Sequence, residues 1–221
     1  RRGRFQKALR AHGFHERTRM LFHGLDLKGR GYIVSSDILF LDKWKPLPCL
    51  WAAPNPQAAA EVIEAIRMRS KSFLKAWRYY FDKSDSNRVS WTNFETGCKL
   101  IGYSGDLAGA WRSLDSDFSG FITLSEVDPV SNDIIVDFKD WADNRSGSVR
   151  DMFDLMDSQI HSRQVGKLAK RDFCKACRMF DVRGNPTRIC ATLDVDFKDA
   201  MSLKDVSFLD SWTVQTVPIN T

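Results

Sequence analysis

Between Asp115 and Glu126 the chain reads Asp-Ser-Asp-Phe-Ser-Gly-Phe-Ile-Thr-Leu-Ser-Glu. Oxygen donors recur through it. Asp115, Asp117 and Ser119 offer side chains at positions 1, 3 and 5, and Phe121 offers its carbonyl at 7. Thr123 reaches an ion through a water at 9, and Glu126 closes the set bidentately at 12. Gly120 stands at position 6, where the backbone must turn sharply, and Ile122 at position 8, from which such a loop joins a neighbour by a short strand. A hard cation that takes about six to eight oxygens is served within one short turn, so the segment is read as a Ca²⁺ loop. A merely solvated acidic loop has no reason to place Gly, Ile and Glu in this register.

Four further segments repeat parts of the pattern. Leu193-Asp194-Val195-Asp196-Phe197 echoes Leu114-Asp115-Ser116-Asp117-Phe118 and runs through Met201 at position 8 to Asp205 at position 12. Asp82–Asn93 has Val89 at position 8; Asp157–Asp172 has Leu168 at the equivalent place but is four residues too long; Asp26–Asp37 has Gly31 at position 6 and Ile33 at position 8. Phe94 precedes Asp115 by 21 residues and Phe173 precedes Asp194 by 21, so 82–126 and 157–205 read as two copies of one paired unit. Within them Val89 should face Ile122 and Leu168 should face Met201. The first loop lies 56 residues before Asp82 and has no evident mate.

Ligand counting separates the loops. Lys28 and Arg30 occupy positions 3 and 5 of the first, where they repel a cation. The second ends in Asn93, which carries no charge. The insertion Ser158–His161 scrambles the fourth, which holds Arg163, Gln164 and Lys167. The fifth offers Asp194, Asp196, the Ala200 carbonyl, Ser202 and Asp205, but has Lys198 at position 5 and Asp199 in place of the turn Gly. Its shorter Asp205 suits Mg²⁺ or weak Ca²⁺. The expectation is one strong Ca²⁺ site, one weak Ca²⁺ or Mg²⁺ candidate and three structural loops.

On these residues the chain resembles the EF-hand superfamily over roughly 15–212, with calmodulin-like hands in a longer array. The runs Glu126-Val127-Asp128-Pro129, Phe138-Lys139-Asp140-Trp141 and Gly147-Ser148-Val149 are similar to EF-hand arrays of dinoflagellates and related alveolates. The resemblance implies an all-α fold of five helix–loop–helix units. Hands 2 and 3 and hands 4 and 5 would be paired through short β bridges, with one odd N-terminal hand. It also implies a calcium-responsive or scaffolding role.

Composition and pattern divide the chain further. Forty-three per cent of the 221 residues are hydrophobic, with 15 Phe and 7 Trp, which excludes a disordered polypeptide. No apolar run reaches the roughly 18 residues of a membrane helix, and the given residues contain no secretory h-region. The chain starts at Arg1 instead of Met, so the expectation is a processed portion of a longer chain whose targeting signal lies outside it. An intracellular place, cytoplasmic or cytoskeleton-associated, is expected. Residues 1–50 form a basic helix plus the unpaired hand, 57–128 one pair, 129–146 a connecting helix, 147–212 the second pair, and 213–221 an extended tail. Gln57–Phe81 reads as one long helix entering the second hand, and Ser131 as the cap of the connecting helix.

Residues 1–30 hold nine Lys/Arg against Glu16 and Asp26, net +7, while the chain as a whole is +5. The plain reading of this run is a solvated helix face; the functional reading is contact with an acidic protein surface or an anionic membrane. No nucleic-acid motif accompanies it, so nucleic acid is the weakest reading. Cys174 and Cys177 share a helix face without the further ligands that zinc needs, and read as core cysteines. No nucleotide-binding, triad or metalloprotease motif is present, so the chain is not read as an enzyme. The leading reading is a Ca²⁺-binding protein-interaction or scaffold module, with protein partners held through residues 1–50. The alternatives are a purely structural subunit of a cytoskeletal or ciliary assembly, and the regulatory segment of a larger enzyme.

Overall fold

A computed structural model of the protein describes residues 1–214. It is mainly helical, with one small antiparallel sheet. The chain divides into two bodies, Arg1–Leu47 and Pro48–Thr221. The first boundary therefore falls at Leu47, three residues before the expected position 50. Of the tail expected at 213–221, residues 215–221 lie outside the described residues.

In the first body α1 (Arg2–Ala11) and α2 (Thr18–Leu25) replace the single basic helix expected there. The break has a backbone cause: Gly13 and Arg17 both take positive φ, 82° and 48°, which no α-helix accommodates. Phe5 of α1 meets Phe22 of α2 edge-on at 5.7 Å between ring centroids. Loop 26–37 follows, then the short α3 (Ser35–Ile38).

The second body runs through α4 (Pro56–Arg67), α5 (Phe73–Tyr80), α6 (Trp91–Leu100), α7 (Leu107–Leu114) and α8 (Leu124–Val127). It continues through α9 (Pro129–Ser146), α10 (Val149–Ile160), β1 (Lys167–Ala169), α11 (Lys170–Met179), α12 (Pro186–Leu193), β2 (Ala200–Ser202) and α13 (Leu203–Val206). Most of these helices start where the sequence supplies a cap. Asn55, Ser72, Ser90, Asp106, Asp128, Ser148 and Asn185 each accept a backbone N–H from two or three residues on. The expected long helix Gln57–Phe81 is two helices, α4 and α5. Ser72 caps α5 and its own N–H turns back to Ser70 Oγ, so local side-chain bonding takes the backbone out of the helix between them. The connecting helix starts at Pro129 under Asp128, not at Ser131: Ser131 supplies the N–H that Asp128 accepts. The four-residue insertion in 157–172 is absorbed as one extra turn of α10, which carries Asp157 inside it.

Backbone pairing brings the loops together two by two. Val89 and Ile122 exchange N–H···O bonds of 2.9 Å each way, and β1 pairs with β2 so that Leu168 faces Met201. All four side chains are fully buried. The two pairs are not separate domains. One continuous apolar cluster runs from Cys49 to Trp212, because α9 presents Ile135, Phe138 and Ala142 to it and packs on α8, α10 and α12. Phe138 lies 6.1 Å from Phe173 of α11. Gly97 of α6 is required by this packing, since a Cβ there would meet the Phe81 ring at 2.4 Å. Cys174 and Cys177 are buried free thiols, as their helical spacing predicts.

A shared core has a measurable signature. Phe138→Ala should cost about 3–5 kcal/mol and lower one cooperative transition in both near-UV dichroism and Trp emission. Two transitions, only one of them displaced, would show that the paired loops fold as independent domains.

Candidate metal centre

The same backbone frame recurs in loops of different sequence. An aspartate at position 1 accepts N–H groups from the turn. Asp26 accepts from Arg30 and Gly31 (2.9 and 2.7 Å), Asp82 from Ser86 and Asn87 (3.0 and 2.6 Å), and Asp194 from Lys198 (3.0 Å). Asp115 accepts from Gly120 at 3.3 Å through either oxygen, and Asp157 from Val165 and Gly166 at 2.7 Å. Positions 4 and 6 take positive φ in four of the five loops: Gly29 and Gly31, Asp85 and Asn87, Phe118 and Gly120, Phe197 and Asp199. At the other end Asp37, Glu126 and Asp205 each accept the N–H of the residue three before.

What differs is how the carboxylates are neutralised. In 26–37 the Arg30 guanidinium sits on Asp37. In 82–93 the single ligand-position carboxylate, Asp82, is saturated by Ser84, Ser86 and Asn87. In 157–172 the imidazole of His161 holds Asp157 at 2.7 Å. Burial alone would raise the Asp157 carboxyl, but bonds from His161, Gly166 and Val165 outweigh it and hold it below the usual range.

The fifth loop, expected as the weak candidate, is closed by two lysines. Asp196 takes Lys198 Nζ at 2.6 Å and Lys75 Nζ of α5 at 2.7 Å, and these bonds hold its carboxyl down at about 2. Asp205 is committed to Ser202, through both its N–H and its hydroxyl. The carboxylates of Asp194, Asp196 and Asp205 do not converge, and Ala200 is a strand residue whose partner is Ala169. Protein cations have taken the place a metal would need.

Loop 115–126 alone, among the described residues, gathers three carboxylates with no protein cation on them. Ligand oxygens of Asp115, Asp117 and Glu126 lie within 4.8 Å of one another. Ser119 Oγ stands between Asp115 Oδ1 (3.3 Å) and the Phe121 carbonyl (2.9 Å), and the Thr123 hydroxyl meets Glu126 at 3.2 Å. Of the six expected donors, Asp115, Asp117 and Glu126 converge, and Ser119, the Phe121 carbonyl and Thr123 are joined to that loop by hydrogen bonds. The two nearby arginines are parked on aromatic faces. Arg112 lies 4.2 Å over Phe118 and Arg88 4.0 Å over Phe121, and neither forms an ion pair. Desolvation pushes the Asp115 and Glu126 carboxyls up, outweighing the hydrogen bonds from Gly120 and Ser119 to the first and from Thr123 and Ser116 to the second. Carboxylates, hydroxyls and a carbonyl form an all-oxygen set that fits a hard divalent cation.

One residue of this site was not singled out by sequence reasoning. Asn87, at position 6 of the neighbouring loop, accepts the N–H of Leu124 at 2.8 Å and donates to the Thr213 carbonyl at 3.0 Å. It therefore holds the start of α8, next to Thr123 and Glu126, and also the described end of the chain. The available signal was an Asn where other loops have Gly, since Asn tolerates positive φ and also carries an amide. Asn87→Gly keeps the φ of 57° accessible but orphans Leu124 N–H and Thr213 C=O. It should cost about 1–3 kcal/mol in denaturant unfolding, and an unchanged midpoint would show that water replaces the amide.

Comparisons of the chain with protein-family models, curated proteins and solved structures gave no match.

Proposed function

We propose that the chain is an EF-hand-type calcium-binding protein with one working site, loop 115–126, set in an array of loops that serve as structure. The observation that carries this reading is the convergence of Asp115, Asp117 and Glu126 with both neighbouring arginines drawn away onto Phe118 and Phe121. In the other loops a side chain of the protein already holds a ligand-position carboxylate: Arg30 on Asp37, Ser84 and Ser86 on Asp82, His161 on Asp157, and two lysines on Asp196. This one leaves three charges together, and their mutual repulsion is relieved by a cation from outside. The array supports a protein-interaction or scaffold role, because self-satisfied loops hold their frame with or without metal. Trp111 of α7 stands directly before the loop, edge-on to Trp91 at 5.6 Å, and reports on it.

Calorimetry should find one dominant Ca²⁺ site with Kd on the order of 10⁻⁷–10⁻⁵ M, accompanied by a modest change in Trp emission and little change in helix content. Glu126→Gln should abolish binding. The same variant in metal-free solution should melt about 1–3 °C higher than wild type, because it removes repulsion in the cluster. Two equally tight sites, or binding retained by Glu126→Gln, would refute the assignment.

Acid should weaken the site early. Asp115 and Glu126 have folded-state pKa values above their ordinary ones, and the ion needs both deprotonated. Affinity should fall on acidification starting above the range where free carboxylates titrate. The metal-free fold runs the other way. These two groups bind protons more tightly folded than unfolded, so their contribution to stability is present below the ordinary carboxylate pKa and is lost as pH rises through the raised values. Calcium titrations at stepped pH check the first statement, and an affinity flat down to the ordinary carboxylate range would contradict it.

A further inference from the structure

The body Arg1–Leu47 is incomplete in a specific way. Its loop 26–37 has the same frame as the others: Asp26 accepts from Arg30 and Gly31, Asp37 accepts from Val34, and Gly29 and Gly31 take positive φ. Four loops of the chain use their position-8 residue to bond a neighbouring loop's backbone. Ile33 holds the same position, yet its N–H and C=O make no hydrogen bond among the described residues. The body also lacks a core. Phe22 and Leu25 are its buried hydrophobic residues, while Leu27, Met20, Leu39, Trp44 and Phe40 are 52–85 % exposed. A unit of this size with two buried apolar side chains does not stabilise itself. Eleven Lys/Arg stand against four Asp/Glu in residues 1–47, a net charge of +7.

We infer that this body is a docking site for an acidic helix–loop–helix of another protein, whose loop strand pairs with the backbone of Ile33 and whose apolar face covers the exposed hydrophobics. The unpaired backbone favours a polypeptide over an anionic lipid surface, since a bilayer offers no strand. The charge disfavours pairing of this body with the same body of a second copy, which would set +7 against +7. The inference is independent of whether loop 115–126 holds calcium.

The test uses the full chain and a peptide of known sequence, residues 107–128 of this protein, which carries one arginine against four carboxylates, net −3, and presents Ile122. Binding is followed by anisotropy of the labelled peptide, with calcium and with chelator, and by hydrogen exchange of residues 18–40. The expected result is saturable binding that weakens with salt, protection of residues 18–40 on binding, and at least a tenfold loss in Ile33→Pro, which deletes the unpaired N–H. Leu39→Glu/Phe40→Glu changes two exposed side chains without touching the loop frame. It should lose binding equally, and stands in if Ile33→Pro disturbs the fold. Absence of binding in both metal conditions overturns the inference, as does equal binding by the variants. Self-association of the chain through Ile33, or partition onto phosphatidylserine vesicles in place of peptide binding, also overturns it.

Discussion

The structure depends on one interaction repeated five times, an aspartate at the head of each loop accepting backbone N–H groups from the turn that follows. A tight turn with two left-handed residues leaves those donors pointing inward with no backbone acceptor. Unmatched, each would cost on the order of 1–3 kcal/mol. The carboxylate supplies the acceptor and so fixes the turn. The turn then places the eighth residue in extended conformation beside its neighbour, and that placement sets the bridges Val89–Ile122 and Leu168–Met201. Residues as unlike as Gly120, Asn87 and Asp199 adopt the same φ sign at the sixth position, and in the first two the aspartate takes that residue's N–H directly. The frame is the same whichever residues stand at the other loop positions, so loops of very different side chains share one backbone.

Once the frame is secure, the fate of the charge distinguishes the loops. A cation within hydrogen-bond reach of a carboxylate competes directly with an ion. Arg30 on Asp37 and the two lysines on Asp196 are internal replacements. Arg112, just before loop 115–126, and Arg88, from the loop paired with it, are instead spent on π faces. The rings of Phe118 and Phe121 thus hold positive charge on their faces, off the carboxylate cluster.

Much of this was legible in the chain. Ligand spacing located the loop that gathers three carboxylates, and the interval of 21 residues set which position-8 residues meet. Lys198 and Arg30 were visible as misplaced cations. Lys75 was not, because it lies 121 residues from Asp196 and only the fold joins them. The break between α4 and α5 escaped because apolar periodicity continues across it, and the serines that cause it compete locally in a way periodicity does not register. The unity of the second body escaped for a related reason. An amphipathic α9 reads the same whether it links two domains or fills the seam of one, and only Phe138 against Phe173 decides.

Asp128 ends α8 and caps α9 with the same side chain. The ligand loop is therefore geared to the longest helix of the protein without an intervening linker. At a rise of about 1.5 Å per residue, α9 is a lever roughly 27 Å long, and a tilt of a few degrees imposed at Glu126 becomes ångströms at its far end. The helix is clamped along its length in the interior by Ile135, Phe138 and Ala142. An ion that prefers a different angle for α8 must work against the whole apolar interior, so side chains remote from any ligand help to set how tightly the loop closes.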